Sequence, residues 1–293
     1  MKKFILFSLI FLVIPFATAA DCGLTNLANC LPEKLIEFAV IMFNAPIEGL
    51  LQQIQQFLTE PVNIEQFQSL WQLIIYILSI FYGILLLFAG YNFIVSGQDP
   101  VRREMAKEWI KNIIFLIIFV QASFFLYKVL IEVGASLSAG VMNLVDPSFF
   151  LITANSIADI GLQFLFSVGY ITALFNTIIL LFIRYFLVNI GLLLFPIGLF
   201  LYFIPPLRSY GKLIVEGLII LILLPFFQSL ILLMGSKLLE LSIVENLKIL
   251  VMMCSFILFN LIMIFLILFV AFKAINQVGG IVTSIGSAIK TFV

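Results

Sequence analysis

Between Leu70 and Val95 the chain runs 26 residues without a charge. At 1.5 Å per residue such a run crosses the roughly 30 Å hydrocarbon core of a bilayer as a helix. Trp71, Tyr76, Tyr82 and Tyr91 supply aromatic anchors for its ends. Asn112–Ile131, charged only at Lys128, is a second apolar run, and Leu213–Gly235, charged only at Glu216, and Ile249–Phe272, joined by Ser236–Lys248, are two more. Residues 156–204 carry only Asp159 and Arg184 as charges. They hold either two spans, 160–183 and 185–204, or one span with a helical or re-entrant extension. Only Arg184 interrupts the run, and no turn signal accompanies it. The pattern predicts an all-α, polytopic helical membrane protein with five or six transmembrane helices after a signal peptide. The runs are long and continuous, unlike the alternating segments of about ten residues that make a β-barrel.

The first part of the chain reads differently. Lys2 and Lys3, the apolar Phe4–Phe16 and the small residues Ala17-Thr18-Ala19 have the form of a signal peptide over 1–19. Residues 20–69 form an extracytoplasmic acidic amphipathic region. Leu35, Ile36, Ala39, Val40 and Phe43, then Leu50, Leu51, Ile54, Phe57 and Leu58, recur at helical spacing. Asp21, Glu33, Glu37, Glu48, Glu60 and Glu65 stand against Lys34 alone. Export permits a Cys22–Cys30 disulfide closing a small loop; two free or intermolecular thiols are the alternative. Cys254, among Met252, Met253 and Phe256, reads as a buried apolar thiol.

Charge placement orients the spans. Ser96-Gly97-Gln98-Asp99-Pro100 is a turn leading into a helix start, followed by Arg102, Arg103, Lys107 and Lys111. This basic loop, 96–111, lies on the cytoplasmic side of the hairpin 70–131 by the positive-inside rule. Residues 132–155 read as an outer loop. Its Gly134–Gly140 stretch is either flexible or a close-approach surface, and Asp146-Pro147 is a turn. A transmembrane bundle over 156–272 and an amphipathic tail over 273–293 complete the chain. Five crossings put Arg208, Lys212, Lys273 and Lys290 inside with the basic loop, leaving Lys34, Lys128, Lys237 and Lys248 outside. This is a stronger asymmetry than six crossings give, and it favours five.

Composition sharpens the class. Hydrophobic residues make up 63% of the 293 residues and charged residues 10%. Soluble domains are about 25% charged, and disorder needs low hydrophobicity, so both are excluded. The net charge of zero gives no nucleic-acid footprint. There is no histidine, the three cysteines are scattered, and neither a Gly-rich phosphate loop nor a nucleophile elbow occurs. The expectation is a protein that is not an enzyme and has no catalytic, cofactor-binding or metal residues. The candidate polar residues inside apolar runs are Arg184, Asn189, Glu216, Gln228 and Asn260. Arg184 pairs with Glu216 across helices, lines an aqueous path or sits at an interface; Glu216 also has Lys212 one turn away. Gln121, Asn189, Gln228 and Asn260 suit interhelical hydrogen bonds. Pro196 and Pro225 suit kinks.

One passage combines Arg184, the apolar Gly191-Leu-Leu-Leu-Phe-Pro196-Ile-Gly198, and Ile204-Pro205-Pro206-Leu207-Arg208. It resembles the TrbL-type polytopic subunit of conjugation and type IV secretion systems, and the corresponding subunit of archaeal DNA import. Residues 83–131, with the 96–100 turn before a basic helix, look like the hairpin of TrbC-type pilins. The resemblance implies an inner-membrane scaffold or channel subunit, able to oligomerise. Its partners would be the lipid bilayer, other membrane subunits including pilin-like proteins, and a secretion ATPase, with indirect contact to transferred DNA. It carries over no catalytic residue. The alternative reading is a small-solute or ion transporter with Arg184 and Glu216 near its path.

Overall fold

The computed structural model describes residues 27–95, 100–152, 160–241 and 247–292. Its helices are α1 (Leu27–Thr59), α2 (Gln68–Val95), α3 (Pro100–Gln121), α4 (Ser123–Met142), α5 (Ile160–Phe203), α6 (Arg208–Leu238) and α7 (Lys248–Phe292). Short 3-10 turns sit at Glu65–Phe67, Pro147–Phe150 and Pro205–Leu207. Five segments are long and apolar enough to cross a membrane: Glu65–Val95, Ser123–Met142, Leu165–Phe203, Arg208–Leu238 and Lys248–Lys273. Among the described residues the structure is all-α, with five helices that could span a membrane. The sixth span disappears because residues 160–203 are one helix of 44 residues. Arg184 does not end it, since arginine is a good helix former. The helix stops where Ile204, extended at φ −89° and ψ 113°, precedes Pro205, as the residue before a proline must.

Two compact units share these helices. One takes the chain up to Gln55, Asn143–Ile178 and Ile231–Asn260. Its centre is the irregular connector after α4. Phe149, Phe150 and Ile152 are buried there, so the backbone polar groups around them need partners. Asn44 supplies two, accepting from the Ile152 N–H at 3.0 Å and donating to its carbonyl at 2.9 Å. The Tyr170 hydroxyl donates to the Phe150 carbonyl at 3.1 Å, and Lys248 Nζ to that of Ser148 at 2.8 Å. Phe256 packs against Phe150, Tyr170 and Phe259.

The other unit takes Gln56–Met142, Ile179–Leu230 and the residues from Leu261 on. Within it α2 and α3 form an antiparallel hairpin. Trp71 donates to Ser123 Oγ at 2.9 Å at one end, and Phe88 meets Trp109 at 5.5 Å at the other. Ile75, Leu78, Tyr82, Leu116 and Val120 fill the seam between. A second cluster joins Val62 and Ile64 to Tyr127, Ile131, Val188, Leu192, Phe195, Leu218 and Ile222. The outward sides stay apolar: Leu87 is 77% exposed and Ile94 78%.

Two expectations are corrected, for residues 132–142 and for Cys254, while the run 112–131 is helical as expected. The outer loop 132–155 is helical through Met142; of its small residues, Gly134 and Ser138 make close helix contacts. The span 112–131 straddles the junction of α3 and α4 at Ala122. There the i→i−4 bonds Ala122 N–H to Ile118 and Leu126 N–H to Ala122, both 3.0 Å, continue the helical ladder. Cys254 is an exposed free thiol, because Met252, Phe256, Phe259 and Met263 occupy the buried face and residue 254 lies about 200° around the helix from 252. The signal-peptide segment and Cys22 lie outside the described residues, and so does the Cys22–Cys30 pairing.

Glycine at 211 is a steric requirement of the α5–α6 turn. A Cβ there would collide with the backbone of Tyr202 and with the Gly198 carbonyl, and backbone cannot give way as a side chain can. Gly211→Ala is expected to lower stability by about 3 kcal/mol. Gly49→Ala, on an exposed face of α1 with nothing near its new methyl, is expected to add roughly 0.5–1 kcal/mol. Unfolding of the detergent-solubilised variants tests the pair. Equal effects would refute the turn packing.

Candidate functional site

Pro225 lies inside α6. It has no N–H, so the carbonyl four residues earlier, that of Leu221, loses its helical donor. An unpaired buried carbonyl costs about 1–3 kcal/mol. Arg184 of α5 fills the gap: its Nε donates to the Leu221 carbonyl at 2.9 Å, and its Nη2 to the Ile222 carbonyl at 3.2 Å. The planar fork of guanidinium reaches two adjacent carbonyls, as a lysine ammonium would not. Arg184 is 6% exposed. Among the described residues, none of the ion pairs reaches it. Its positive charge is met by carbonyl dipoles of a broken helix turn instead of by a carboxylate.

The surroundings fit closely around that turn. The Tyr127 hydroxyl donates to the Val188 carbonyl, one turn beyond Arg184, at 2.7 Å. Gly191 makes room for it, since a methyl there would collide with the Tyr127 hydroxyl. On α4, a Cβ at Gly134 would stand 3.0 Å from the Ile222 carbonyl, so only glycine lets α4 approach the break this closely. Ser229 donates to the Pro225 carbonyl at 2.8 Å, and its hydroxyl lies 2.7 Å from that of Ser138, both buried. Arg184, Tyr127, Gly134, Ser138 and Ser229 thus surround the proline break from α4, α5 and α6.

The other candidates stand apart from it. Glu216 pairs with Lys273 at 3.2 Å and Lys212 at 3.5 Å; it does not pair with Arg184. Gln228 is fully buried, its Nε2 3.5 Å from Met263 Sδ and its Oε1 without a partner. Asn189 donates to the Tyr185 carbonyl at 3.0 Å, while its Oδ1 is buried and unpartnered. Asn260 belongs to the other unit, where it accepts from Thr177 Oγ1 at 2.9 Å and donates to the Ala173 carbonyl at 3.2 Å. Arg102, Arg103, Lys107 and Lys111 lie on α3, with Lys107 on Glu104 at 2.7 Å. Sequence reasoning missed Tyr127 and Ser229; Gly134 and Ser138 fall in the Gly134–Gly140 stretch, whose close-approach reading fits their contacts here. The signal for the carbonyl was present: a proline inside a helix always frees the acceptor four residues back.

The arrangement binds helices together. No known protein family, curated protein or solved structure matches the chain.

A double-mutant cycle tests the site. Arg184→Met is expected to destabilise by about 2 kcal/mol, because it strands the Leu221 carbonyl and removes a second bond to that of Ile222. In a Pro225→Ala background, where residue 225 again donates to Leu221, the loss is expected to fall by roughly 1 kcal/mol. Equal losses in both backgrounds, read from unfolding in mixed micelles, would show that Arg184 does not serve the proline break.

Proposed function

We propose that this chain is a multi-pass membrane subunit, a scaffold or channel component of a macromolecular transfer machine of the type IV secretion or conjugation kind, moving DNA or protein. The observation that carries the reading is the engagement of Arg184. A charge deep in an apolar span is a functional-site hypothesis by default. Here it is engaged by the backbone of α6, and Glu216, the acid a solute path would pair with it, is held by two lysines. That favours a rigid structural element over a solute-binding group.

Helix length supports a subunit role. Along α5, Leu165, Phe175, Phe182, Phe186 and Leu194 are all exposed. From 165 to 194 a helix rises about 44 Å. A hydrocarbon core of about 30 Å covers roughly 39 Å of helix even at a tilt of about 40°. The rest of the stripe is left for protein. The pilin-like and ATPase partners, the extracytoplasmic start and the inner-membrane location of this reading rest on the resemblance of 83–131 and 184–208 and on the basic residues of α3.

The test is co-purification of the tagged protein from its native membrane in mild detergent. A hexameric-type ATPase and small two-helix membrane proteins are expected with it, and deletion is expected to abolish DNA uptake, conjugation or secretion. A lone monodisperse protein giving solute flux in proteoliposomes that Arg184→Gln removes would overturn the reading in favour of a transporter.

A further inference from the structure

The two arms of the α2–α3 hairpin differ in how far along they stay apolar. They run antiparallel, with Trp71 beside Ser123 and Phe88 beside Trp109. That register sets Leu87 and Tyr91 level with residues 106–110 of α3. Arg103, Glu104, Lys107, Glu108 and Lys111 cluster around that level, all exposed. So many charges are expelled from hydrocarbon, and this end of the hairpin lies beyond the lipid tails. On α2 the apolar surface continues regardless: Leu87 is 77% exposed and Tyr91 66%. At this level the tails do not cover them, and contact with water is unfavourable. A contiguous apolar row outside the hydrocarbon marks a protein contact.

The row begins further up the helix. Leu73, Ile77, Ile80, Ile84, Leu87 and Tyr91 are all exposed and succeed one another at alternating steps of four and three. This is the repeat of a coiled-coil seam, with Ile77, Ile84 and Tyr91 at a and Leu73, Ile80 and Leu87 at d. The side of α2 that packs within the chain carries Ile75, Leu78 and Tyr82, and helical periodicity puts it opposite the row. Gly83 and Gly90 flank the row one heptad apart, and nothing stands within 4 Å of a Cβ placed at either. At Gly191, Gly198 and Gly211 the missing side chain admits a neighbouring element. At Gly83 and Gly90 none of the described residues uses the room, although glycine weakens a helix.

We propose that α2 is a homodimer interface, pairing in parallel with α2 of a second copy of this chain along Leu73–Tyr91. Two copies inserted in the same sense are related by an axis along the bilayer normal, so α2 meets α2 at equal depth. Each copy then covers the Leu87 and Tyr91 of the other at the level where the tails end. A lipid, or a helix that turns polar at the interface, leaves them bare. Isoleucine at a with leucine at d favours two strands, and glycines beside the seam let the backbones close. With its flanking residues the row exposes roughly the 800 Å² per partner of a standard interface. The basic residues of α3 lie across α2 from the seam, about 10 Å or more away, where salt screens the two copies from one another. The pairing requires only that the chain spans a membrane; it goes beyond the transfer-machine reading and would hold equally for a transporter.

The test mixes donor- and acceptor-labelled full-length copies, tagged at the C-terminus, in phosphatidylcholine vesicles. Energy transfer that rises linearly with acceptor fraction, the signature of a dimer, is expected. Gly83→Leu and Gly90→Leu are each expected to weaken association about tenfold by overpacking the seam. Gly49→Leu, on α1 with the same open space around it, is expected to leave association unchanged. Transfer no greater than random proximity gives, transfer curved in acceptor fraction as for a larger ring, or a dimer indifferent to both α2 substitutions would each overturn the proposal and leave the membrane reading standing. Because a new leucine could impair folding, a second measurement uses the otherwise unaltered chain in its native membrane, with Leu87 replaced by a photoreactive benzophenone amino acid. An adduct of two copies joined through α2 is expected. Adducts to lipid alone would return the row to the bilayer, and adducts to a different protein alone would assign it to another subunit; either overturns the homodimer.

Discussion

The bond that the second unit depends on is the one Pro225 creates a need for. By withholding an N–H, the proline frees the Leu221 carbonyl in the middle of an apolar helix, and Arg184 of the neighbouring helix occupies it together with the Ile222 carbonyl. The two defects are complementary. A buried guanidinium without a carboxylate is costly, and a broken helix turn with unpaired carbonyls is costly. Placed together, each supplies what the other lacks. Arg184 also fixes the register of α5 against α6, since the freed carbonyl occurs at one position only.

Close approach follows from that register. Gly134 lets α4 reach the Ile222 carbonyl, Gly191 admits the Tyr127 ring between helices, and Gly198 and Gly211 let the α5–α6 turn close. Between apolar helices in an apolar surround no hydrophobic force draws them together, so small residues and interhelical hydrogen bonds carry the association. Ser138 against Ser229 and Trp71 against Ser123 are of this kind. Gln228 is the imperfect case: its amide meets a thioether, a weak acceptor, and its oxygen has no partner.

Much of the architecture was legible in the chain. Long apolar runs with at most one charge locate five long helices, and the absence of a turn signal around Arg184 argues for one helix over 160–203. Arg184 and Pro225 each stand out as exceptions to an apolar pattern. That they answer one another was not legible, because pairing residues 41 positions apart needs the crossing geometry of two helices. Residues 133–142 misled for a physical reason. Gly, Ala and Ser suit a loop in water and a tight helix contact equally, and only the neighbour at Ile222 decides between them. Cys254 misled because apolar neighbours in sequence are not neighbours in space on a helix of 3.6 residues per turn.

A common rule connects the irregular places among the described residues. Backbone that leaves the helical ladder has polar groups to satisfy, and here longer side chains from elsewhere in the same unit reach in to satisfy them. Asn44, Tyr170 and Lys248 do so for the connector after α4, and Arg184 does so for the proline break. The turn at Pro205–Leu207 is handled differently: prolines remove the donors, and the Leu207 N–H returns to the Ile204 carbonyl at 2.9 Å. In an apolar environment an unpaired backbone group has no water to fall back on. The polar side chains inside such a chain therefore mark where its backbone departs from helix, and Arg184 reads first as a structural partner of Pro225.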